Sequence, residues 1–455
     1  MLLQIGKIPP PQRPGQPPIN DPRVRMLAEV LQDGEWSGQR CLVVGGGESL
    51  KGFDYSRLAG ELVIGINRAI EVVDPDILFG MDRQFFDWVK KGEYDRRDPG
   101  CEALAKWNAS RAIKVWAPNN PSAEHPDVYH VPCAHGYFGA SIATGITCGD
   151  NSGIGAISLA IALGCQEVYL LGFDLHTGTP EKRHWHSGHP DGQTSAVYRG
   201  MLEMFKHYAP DMTARARIVN LNPDSALRCF EFGDLGQIPP RVRGYQVISF
   251  FTKDTGYEEE IKNLERSLQQ LRIPYHFFGY PETGSWRGNL NYKSQCILEA
   301  MDMFPDKDIV FLDSDAIVRR DPVLFDQLSR SHAYDLSAHF YQYSDKSGGA
   351  LELLSGTLWI ANNETCRTLV RRWHEIGLKR DDVKHQQCLR LAKRELIAEG
   401  LAIRVNRHPF AYTCIFDYPA ARQCVPVIEH FQASRRLRHK VGYGKNLRTG
   451  IEGSA

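Results

Sequence analysis

Short apolar runs rich in β-branched and aromatic residues recur along the chain, with segments of helical spacing between them. In the first half the runs are Arg40 to Val44, Leu62 to Ile66, Ile77 to Phe79, Ala112 to Trp116 and Glu167 to Leu171. Ser152 to Leu163 is small, apolar and helical in pattern, with Gly164 placed as its C-cap. Strands that alternate with helices predict a mostly parallel, doubly wound sheet covered on both faces. The stretch Gly233 to Gly244 (GDLGQIPPRVRG) is rich in Gly and Pro and reads as a linker. Beyond it the alternation resumes, with strands at Tyr245 to Phe250, Tyr275 to Phe278 and Asp308 to Leu312. The helices between them are Tyr257 to Leu271 and Lys293 to Met303. The chain has 455 residues, more than one hydrophobic core usually serves. Two α/β domains are therefore expected, over 38–236 and 243–432. Residues 1–37 hold a Pro-rich arm and a lead helix from Pro22 to about Gln32, and 433–455 form a basic tail.

Lys plus Arg is 54 and Asp plus Glu is 54, so the formal net charge is zero. A dedicated nucleic-acid binder usually shows a basic excess, and none exists overall. Hydrophobic residues at 42% supply a buried core, which excludes global disorder. No run of about 18 apolar residues occurs, so no membrane-spanning helix and no membrane partner are expected. The start, Met1 to Gly6, lacks the charged-then-apolar pattern of a signal peptide. The 11 cysteines are scattered with no C-x-x-C pair, which points to reduced thiols in a cytoplasm and not to a disulfide framework or structural zinc.

The strongest chemical signal is Asp308-Ile-Val-Phe-Leu-Asp313-Ser-Asp315-Ala-Ile-Val. Two carboxylates two residues apart at a strand end can point towards one site if the backbone turns. Side by side they repel, which raises one pKa unless a cation sits between them. Mg2+ or Mn2+ resolves the repulsion and also bridges the oxygens of a diphosphate. The alternative is a polar strand exit with capping aspartates. Upstream lies Trp286-Arg287-Gly-Asn-Leu-Asn291-Tyr-Lys293, and downstream lie Arg319-Arg320-Asp321-Pro322 and Ser355-Gly356-Thr357-Leu358-Trp359-Ile360.

That order of residues resembles the GT-A fold of nucleotide-sugar glycosyltransferases, over roughly 243–432. The resemblance implies that Asp313 and Asp315 bind metal and diphosphate. It implies that Lys293 contacts phosphate or supports the site, and that Gly356 and Thr357 line the donor sugar. It implies His430, followed by Phe431, as a third metal ligand; the alternative is a strand-end histidine packed on a helix. His385-Gln386 stands where the family often has Asp-Gln, so an expected carboxylate is missing, and Glu352 and Asp382 are the neighbouring candidates for a catalytic carboxylate. Arg435, Arg436, Arg438 and Lys440 read either as a lid over the diphosphate or as a solvated tail.

In the first half, Val43-Val-Gly45-Gly-Gly47-Glu-Ser49-Leu50 is a strand entering a glycine turn and a short helix. Glycines allow close backbone approach, and a helix N-terminus offers free N–H groups to phosphate. Asn67, Asp82, Asn151-Ser152-Gly153 and Leu171-Gly-Phe-Asp174 follow later strands. This set is similar to a Rossmann-like family that takes in bacterial sialyltransferase-like proteins and a hydroxymethylpterin diphosphokinase group, over about 38–232. The resemblance implies a ligand site built from Gly45, Gly47, Ser49, Asn67, Asp82, Ser152, Gly153 and Asp174. The alternative makes the glycines structural and the aspartates caps. His176, His184, His186 and His189 cluster within HTGTPEKRHWHSGH. Histidine suits general-base work and metal ligation, and His186 is the candidate base.

The expectation is thus an α/β chain of two Rossmann-like domains, the second of GT-A type. The first function is a glycosyltransferase that takes Mn2+ or Mg2+ and a UDP- or GDP-type sugar donor, with a glycan as acceptor. It is bifunctional if the first domain is also catalytic. A second reading makes the acceptor a hydroxymethylated base of phage DNA, for which the basic tail, Arg241 and Arg243 are the available cations. A third is a non-catalytic adaptor of a glycan or phage assembly. The expected location is the cytoplasm of a bacterium or phage-infected host, and self-association is left open.

Overall fold

A computed structural model describes residues 23–98, 100–117, 125–134, 137–176, 184–186, 195–342, 351–380 and 383–433. The chain divides into two compact units, Met1–Arg241 and Val242–Ala455.

The first unit is built on a nine-stranded sheet. In chain order its strands are β1 (Arg25–Met26), β2 (Arg40–Val44), β3 (Leu62–Ile66), β4 (Ile77–Gly80), β5 (Ile113–Trp116) and β6 (Tyr129–His130). A small three-stranded sheet follows, β7 (Cys133–Ala134), β8 (Ala140–Ser141) and β9 (Gly145–Thr147), and then the main sheet resumes with β10 (Glu167–Leu171), β11 (Arg217–Asn220) and β12 (Glu231–Phe232). The spatial order is β1-β6-β5-β4-β3-β2-β10-β11-β12, with every neighbouring pair parallel. The chain thus moves outward from β2 in one direction and later returns to lay β10 on its other side. In such sheets the reversal leaves a crevice at the carboxyl ends of the two central strands.

Three short helices, α1 (Arg83–Lys90), α2 (Glu93–Arg97) and α3 (Ala103–Ala109), follow β4. The helix α4 (Ser152–Ala162) is apolar nearly all round and buried along most of its length. Its small residues let it lie close to the sheet: a Cβ at Gly155 would stand 2.6 Å from Phe79 Cζ. Gly164 has φ +85, the left-handed conformation that ends a helix, as its sequence position predicts. A longer helix, α5 (Ser195–Thr213), precedes β11. The lead helix expected from Pro22 is not formed. Arg25 and Met26 instead pair with Tyr129 and His130, and a single 3-10 turn, Leu27–Glu29, follows. The exposed edge of β6 offers backbone groups for pairing, and Leu27 gains full burial.

The second unit has a mixed sheet of strands β13 (Tyr245–Thr252), β14 (Tyr275–Tyr280), β15 (Asp308–Leu312), β17 (Leu336–Gln342), β18 (Leu351–Ile360) and β19 (Val405–Arg407). Their spatial order is β14-β13-β15-β18-β17-β19. A small second sheet joins β16 (Ala316–Val318), β20 (Cys414–Ile415) and β21 (Ile428–His430). The helices are α6 (Tyr257–Gln270), α7 (Trp286–Leu290), α8 (Tyr292–Met303), α9 (Val323–Ser331), α10 (Glu364–Lys379) and α11 (His385–Ala398). The core centres on Tyr245, Phe311, Phe325, Trp359 and Trp373, all fully buried. Arg243 is buried beside Asp321 and Asp326 and donates to both. This corrects its reading as a cation open to nucleic acid: its charge is spent inside the fold, where leaving either aspartate unpaired would be costly. Among the described residues no helix is long and apolar enough to cross a membrane.

Candidate metal centre and ligand cleft

Strand β15 ends at Leu312 and delivers Asp313 to the edge of the sheet. The chain turns there, with the Ala316 amide donating to Asp313 O at 2.9 Å, and continues as β16. Strand β21 pairs antiparallel with β16 so that His430 stands opposite Ala316. This ladder closes the long sequence gap between the aspartates and the histidine. Ligand atoms of Asp313, Asp315 and His430 all lie within 4.8 Å of one another. After His430 the backbone reverses through Gln432, which has φ 53, and the Ala433 amide turns back to donate to Asp315 Oδ2 at 2.7 Å.

The layer behind these residues orients them. His430 Nε2 lies 2.8 Å from Thr357 Oγ1, and Nδ1 lies 3.6 Å from Asp315 Oδ1. A protonated His430 donates towards Asp315 from Nδ1, whereas a neutral ring that gives its Nε2 proton to Thr357 would turn the Nδ1 lone pair to the carboxylates, as a histidine ligand requires. Gly356 leaves the space: a Cβ there would lie 3.0 Å from Asp313 Oδ2 and 3.2 Å from His430 Cε1. Two carboxylates with an imidazole form a donor set that fits a divalent cation.

Asp315 does not show the rise expected for one of the two carboxylates. Burial pushes Asp315 up, but the His430 hydrogen bond and charge, the Ala433 amide and the Lys293 ammonium together hold it below the usual carboxylate range. Lys293 Nζ stands 2.7 Å from Asp313 Oδ1 and also donates to Ser355 O at 3.1 Å. The protein therefore supplies its own counter-charge to the pair.

Glu352, on β18, lies outside this group of ligands and accepts a hydrogen bond from Gln386 Nε2 at 2.8 Å. The carbonyl of the same amide takes the Ser355 N–H at 3.2 Å. Gln386 thus links Glu352 to the strand beneath the metal ligands. Sequence reasoning left it out of the site, and the one signal for it was its place after His385 at the start of α11. His385 is buried, and burial, Lys293 and His374 hold its pKa well below the usual imidazole range. A neutral ring therefore stands where a carboxylate is expected. Asp382 and the cationic tail residues Arg435, Arg436, Arg438 and Lys440 lie outside the described residues.

In the first unit, a cleft of about 390 Å³ opens at the reversal between β2 and β10. Gly45, Gly47, Asn67, Asp82, Ser152, Gly153, Asp174 and His186 all line it. Ser49 does not, and instead donates its hydroxyl and its amide to Asp174 at 2.5 and 2.8 Å. Asn222 Nδ2 also reaches Asp174, at 2.7 Å. The Asp174 carboxylate is thus a clasp between the β10 and β2 turns. The clasp explains the glycines: a Cβ at Gly47 would stand 2.5 Å from Asp174 Cγ, and one at Gly45 would stand 2.8 Å from Gly172 O. The amides of Gly153 and Ile154, at the start of α4, are already taken by Asn151 Oδ1 at 2.7 and 3.3 Å.

Asn67 keeps a left-handed backbone with φ 51, and its Oδ1 is buried without a hydrogen-bond partner. Non-glycine residues are held in that conformation only where the surroundings enforce it. His186 Nδ1 lies 3.0 Å from Arg68 Nη1. A guanidinium only donates, so Nδ1 carries the lone pair and a neutral ring bears its proton on Nε2. Arg68 is itself buried between Glu71 and Asp98. His184 stacks on His186 at 5.2 Å with planes 8° apart, and both line the cleft with His176. His189 lies outside the described residues. Among the described residues, the Asp313, Asp315 and His430 cluster is the group able to hold a metal ion, and the histidines of the cleft do not form one.

No protein-family model matches the chain, and no curated protein does. Solved structures give partial likenesses. One is a glycosyltransferase involved in the glycosylation of the major capsid of PBCV-1, 14% identical, covering 43% of this chain and 97% of that chain with a TM-score of 0.32. A second is the glycosyltransferase GlyE of Streptococcus pneumoniae TIGR4, 16% identical, covering 42% of this chain and 55% of that chain with a TM-score of 0.29. A third is LgtC, a galactosyltransferase in complex with donor and acceptor sugar analogues, 10% identical, covering 45% of this chain and 97% of that chain with a TM-score of 0.26.

Proposed function

We propose that the second unit is a metal-dependent transferase that moves a sugar from a nucleoside-diphosphate sugar to an acceptor hydroxyl. The observation that carries this reading is the convergence of Asp313, Asp315 and His430, backed by the buried ammonium of Lys293. The three residues would hold Mn2+ or Mg2+, and the imidazole tilts the set towards Mn2+. When bound, the ion supplies positive charge against the charge that develops on the departing diphosphate.

The chain's own residues do the rest. Thr357 holds the His430 ring, and Gly356 keeps the floor open beside the carboxylates. Lys293 is the fixed cation for the β-phosphate side of the donor, in a buried setting where charge is weakly screened. Glu352, held by Gln386, is the carboxylate we assign to the acceptor side, and Asp382 remains a second candidate. The acceptor we favour is a glycan, because burial removes Arg243 from any surface for nucleic acid. The protein works in a cytoplasm, on the pattern of scattered cysteines without a C-x-x-C pair.

The first unit binds a second small ligand in its cleft at the sheet reversal. Asn67 is the residue we assign to it, because its buried carbonyl oxygen lacks a donor. The Arg68 contact sets His186 to offer its Nε2 proton to that ligand, not to take one.

The test is release of nucleoside diphosphate from a panel of UDP- and GDP-sugars with Mn2+ and with chelator. Activity that needs Mn2+ and disappears in Asp315→Ala supports the reading. Undiminished release by Asp315→Ala would sink it.

A further inference from the structure

The small sheet of the first unit brings two cysteines together. Cys133 lies on β7, and Cys148 directly follows β9. Their Sγ atoms stand 2.9 Å apart. A disulfide bond is about 2.05 Å long, so the two sulfurs are under about 1 Å from bonding distance. The backbone that carries them is tightly set. Cys133 is the register partner of Ile146, across the β7–β9 pair. A Cβ at Gly145, which has φ 129, would stand 3.1 Å from Ala134 N and 3.3 Å from Cys133 C. A Cβ at Gly139 would stand 2.7 Å from Gly145 O. The sulfurs are therefore held side by side by the sheet.

Both residues touch the wall of the cleft at the sheet reversal. Cys133 Sγ donates to Ala117 O at 3.6 Å, and Ala117 lines the cleft. Cys148 O accepts the Asn151 amide at 2.9 Å. Asn151 caps α4, and Asp150, Asn151, Ser152 and Gly153 line the same cleft. With the Cys133 proton directed to Ala117 O, Cys148 is the donor between the sulfurs. That hydrogen bond and burial push the Cys148 thiol up, so it keeps its proton. Cys133 is half-buried and Cys148 only 5% exposed, so a small oxidant from solvent meets Cys133 first.

We propose that Cys133 and Cys148 are a peroxide-oxidised thiol pair, closing reversibly to a disulfide that alters the wall of the first-unit cleft. The oxidant is hydrogen peroxide or a small organic peroxide. The Cys133 sulfur, having given its proton to water, attacks one peroxide oxygen. The O–O bond breaks, Cys133 becomes a sulfenic acid, and the other oxygen leaves as hydroxide, which takes up that proton as water. Cys148 then attacks the Cys133 sulfur. The S–S bond forms, the S–O bond breaks, and the departing hydroxide takes the Cys148 proton as a second water. Two thiols are oxidised and one peroxide is reduced. A dithiol restores the pair by exchange. In a cytoplasm, disulfides are usually transient and not structural, which suits a pair kept as thiols but held this close. Oxidation removes the thiol proton from Ala117 O and draws on Cys148, whose carbonyl holds Asn151 at the start of α4. The pair acts on the cleft whichever ligand the cleft takes.

The experiment uses the full chain, reduced and desalted, and treated with about ten equivalents of hydrogen peroxide. Remaining thiols are alkylated, and the protein is digested without reductant for mass spectrometry. A peptide joining Cys133 to Cys148 is expected, and dithiothreitol should abolish it. Cys41 and Cys165 are both buried and should stay thiols, as an internal control. Cys148→Ser should form no such peptide and should carry a dimedone adduct at Cys133, the trapped sulfenic acid. Hydrogen exchange then reads the cleft wall, because it reports local opening. Exchange over 150–155 should change roughly two-fold or more when the wild type is oxidised, and should not respond to peroxide in Cys133→Ser. Absence of the Cys133–Cys148 peptide from the oxidised wild type would overturn the proposal without recourse to any variant. So would a linkage that leaves exchange over 150–155 as it was in the reduced protein.

Discussion

Lys293 places its ammonium 2.7 Å from Asp313 Oδ1 while only 6% of its side chain is exposed. The D-x-D pair is therefore compensated before any metal arrives, and a divalent ion must share Asp313 with a resident cation. Lys293→Met should leave Mn2+ affinity equal or higher, because a like charge is removed, and should weaken donor binding. Without metal the variant should lose about 1–3 kcal/mol of stability, the cost of leaving a partner group unsatisfied. Calorimetric titration with Mn2+ and then with donor separates the two effects.

Thr357 Oγ1 lies 2.8 Å from the ring nitrogen of His430 that faces away from the carboxylates. Thr357→Val keeps the shape and removes the acceptor. Metal affinity should fall roughly ten- to a hundred-fold, the usual effect of removing such a supporting partner. Unchanged Mn2+ titration of Thr357→Val would show that the ring is held by something else.

Gly356 owes its identity to the ligands above it and not to its backbone conformation. A methyl group there meets Asp313 Oδ2 at 3.0 Å and His430 Cε1 at 3.2 Å. Gly356→Ala should melt near the wild type in chelator and lose most of the stabilisation given by Mn2+. Melting curves with and without the ion check both halves of the statement.

His408 is buried between Ser337 and Thr413, and burial, followed by the charges of His339 and His430, lowers its pKa to about 3. In the unfolded chain it titrates near 6.5. Below that pH the unfolded state binds a proton that the folded state does not, so stability falls as pH drops from about 6.5 towards 3. Asp315 has the complementary sign for a carboxyl: its contribution is complete above about pH 4 and is lost below it. Urea midpoints in chelator should therefore decline across the mildly acid range, and His408→Asn should flatten that decline. A wild-type midpoint constant from pH 7 to pH 5, to the nearest tenth of about 1 M, would contradict the assignment.

The local signals in the sequence carried the second unit well. The run Asp308 to Leu312 is a strand, Asp313 and Asp315 follow it, and His430 sits at the end of another strand; each of these is visible within a few residues. Their convergence was reached only through resemblance, because the β16–β21 pairing is long-range. The support from Thr357 and Gln386 was not legible, since a hydroxyl or amide that orients a neighbour leaves no pattern of its own. In the first unit the glycine turn read as a phosphate approach. The structure gives Gly45 and Gly47 a packing reason, because Asp174 and Gly172 fill the space that side chains would need. Arg25 and Met26 read as helical because an unpaired sheet edge far along the chain has no local signature.

The most direct measurement of the central claim is calorimetric titration of a UDP- or GDP-sugar into the full chain, with Mn2+ and with chelator, for the wild type and Asp313→Ala. One donor should bind the wild type in the presence of Mn2+ alone, and Asp313→Ala should bind none of the donors under either condition. Equal donor affinity with chelator, or in Asp313→Ala, would contradict a metal-held donor at Asp313, Asp315 and His430.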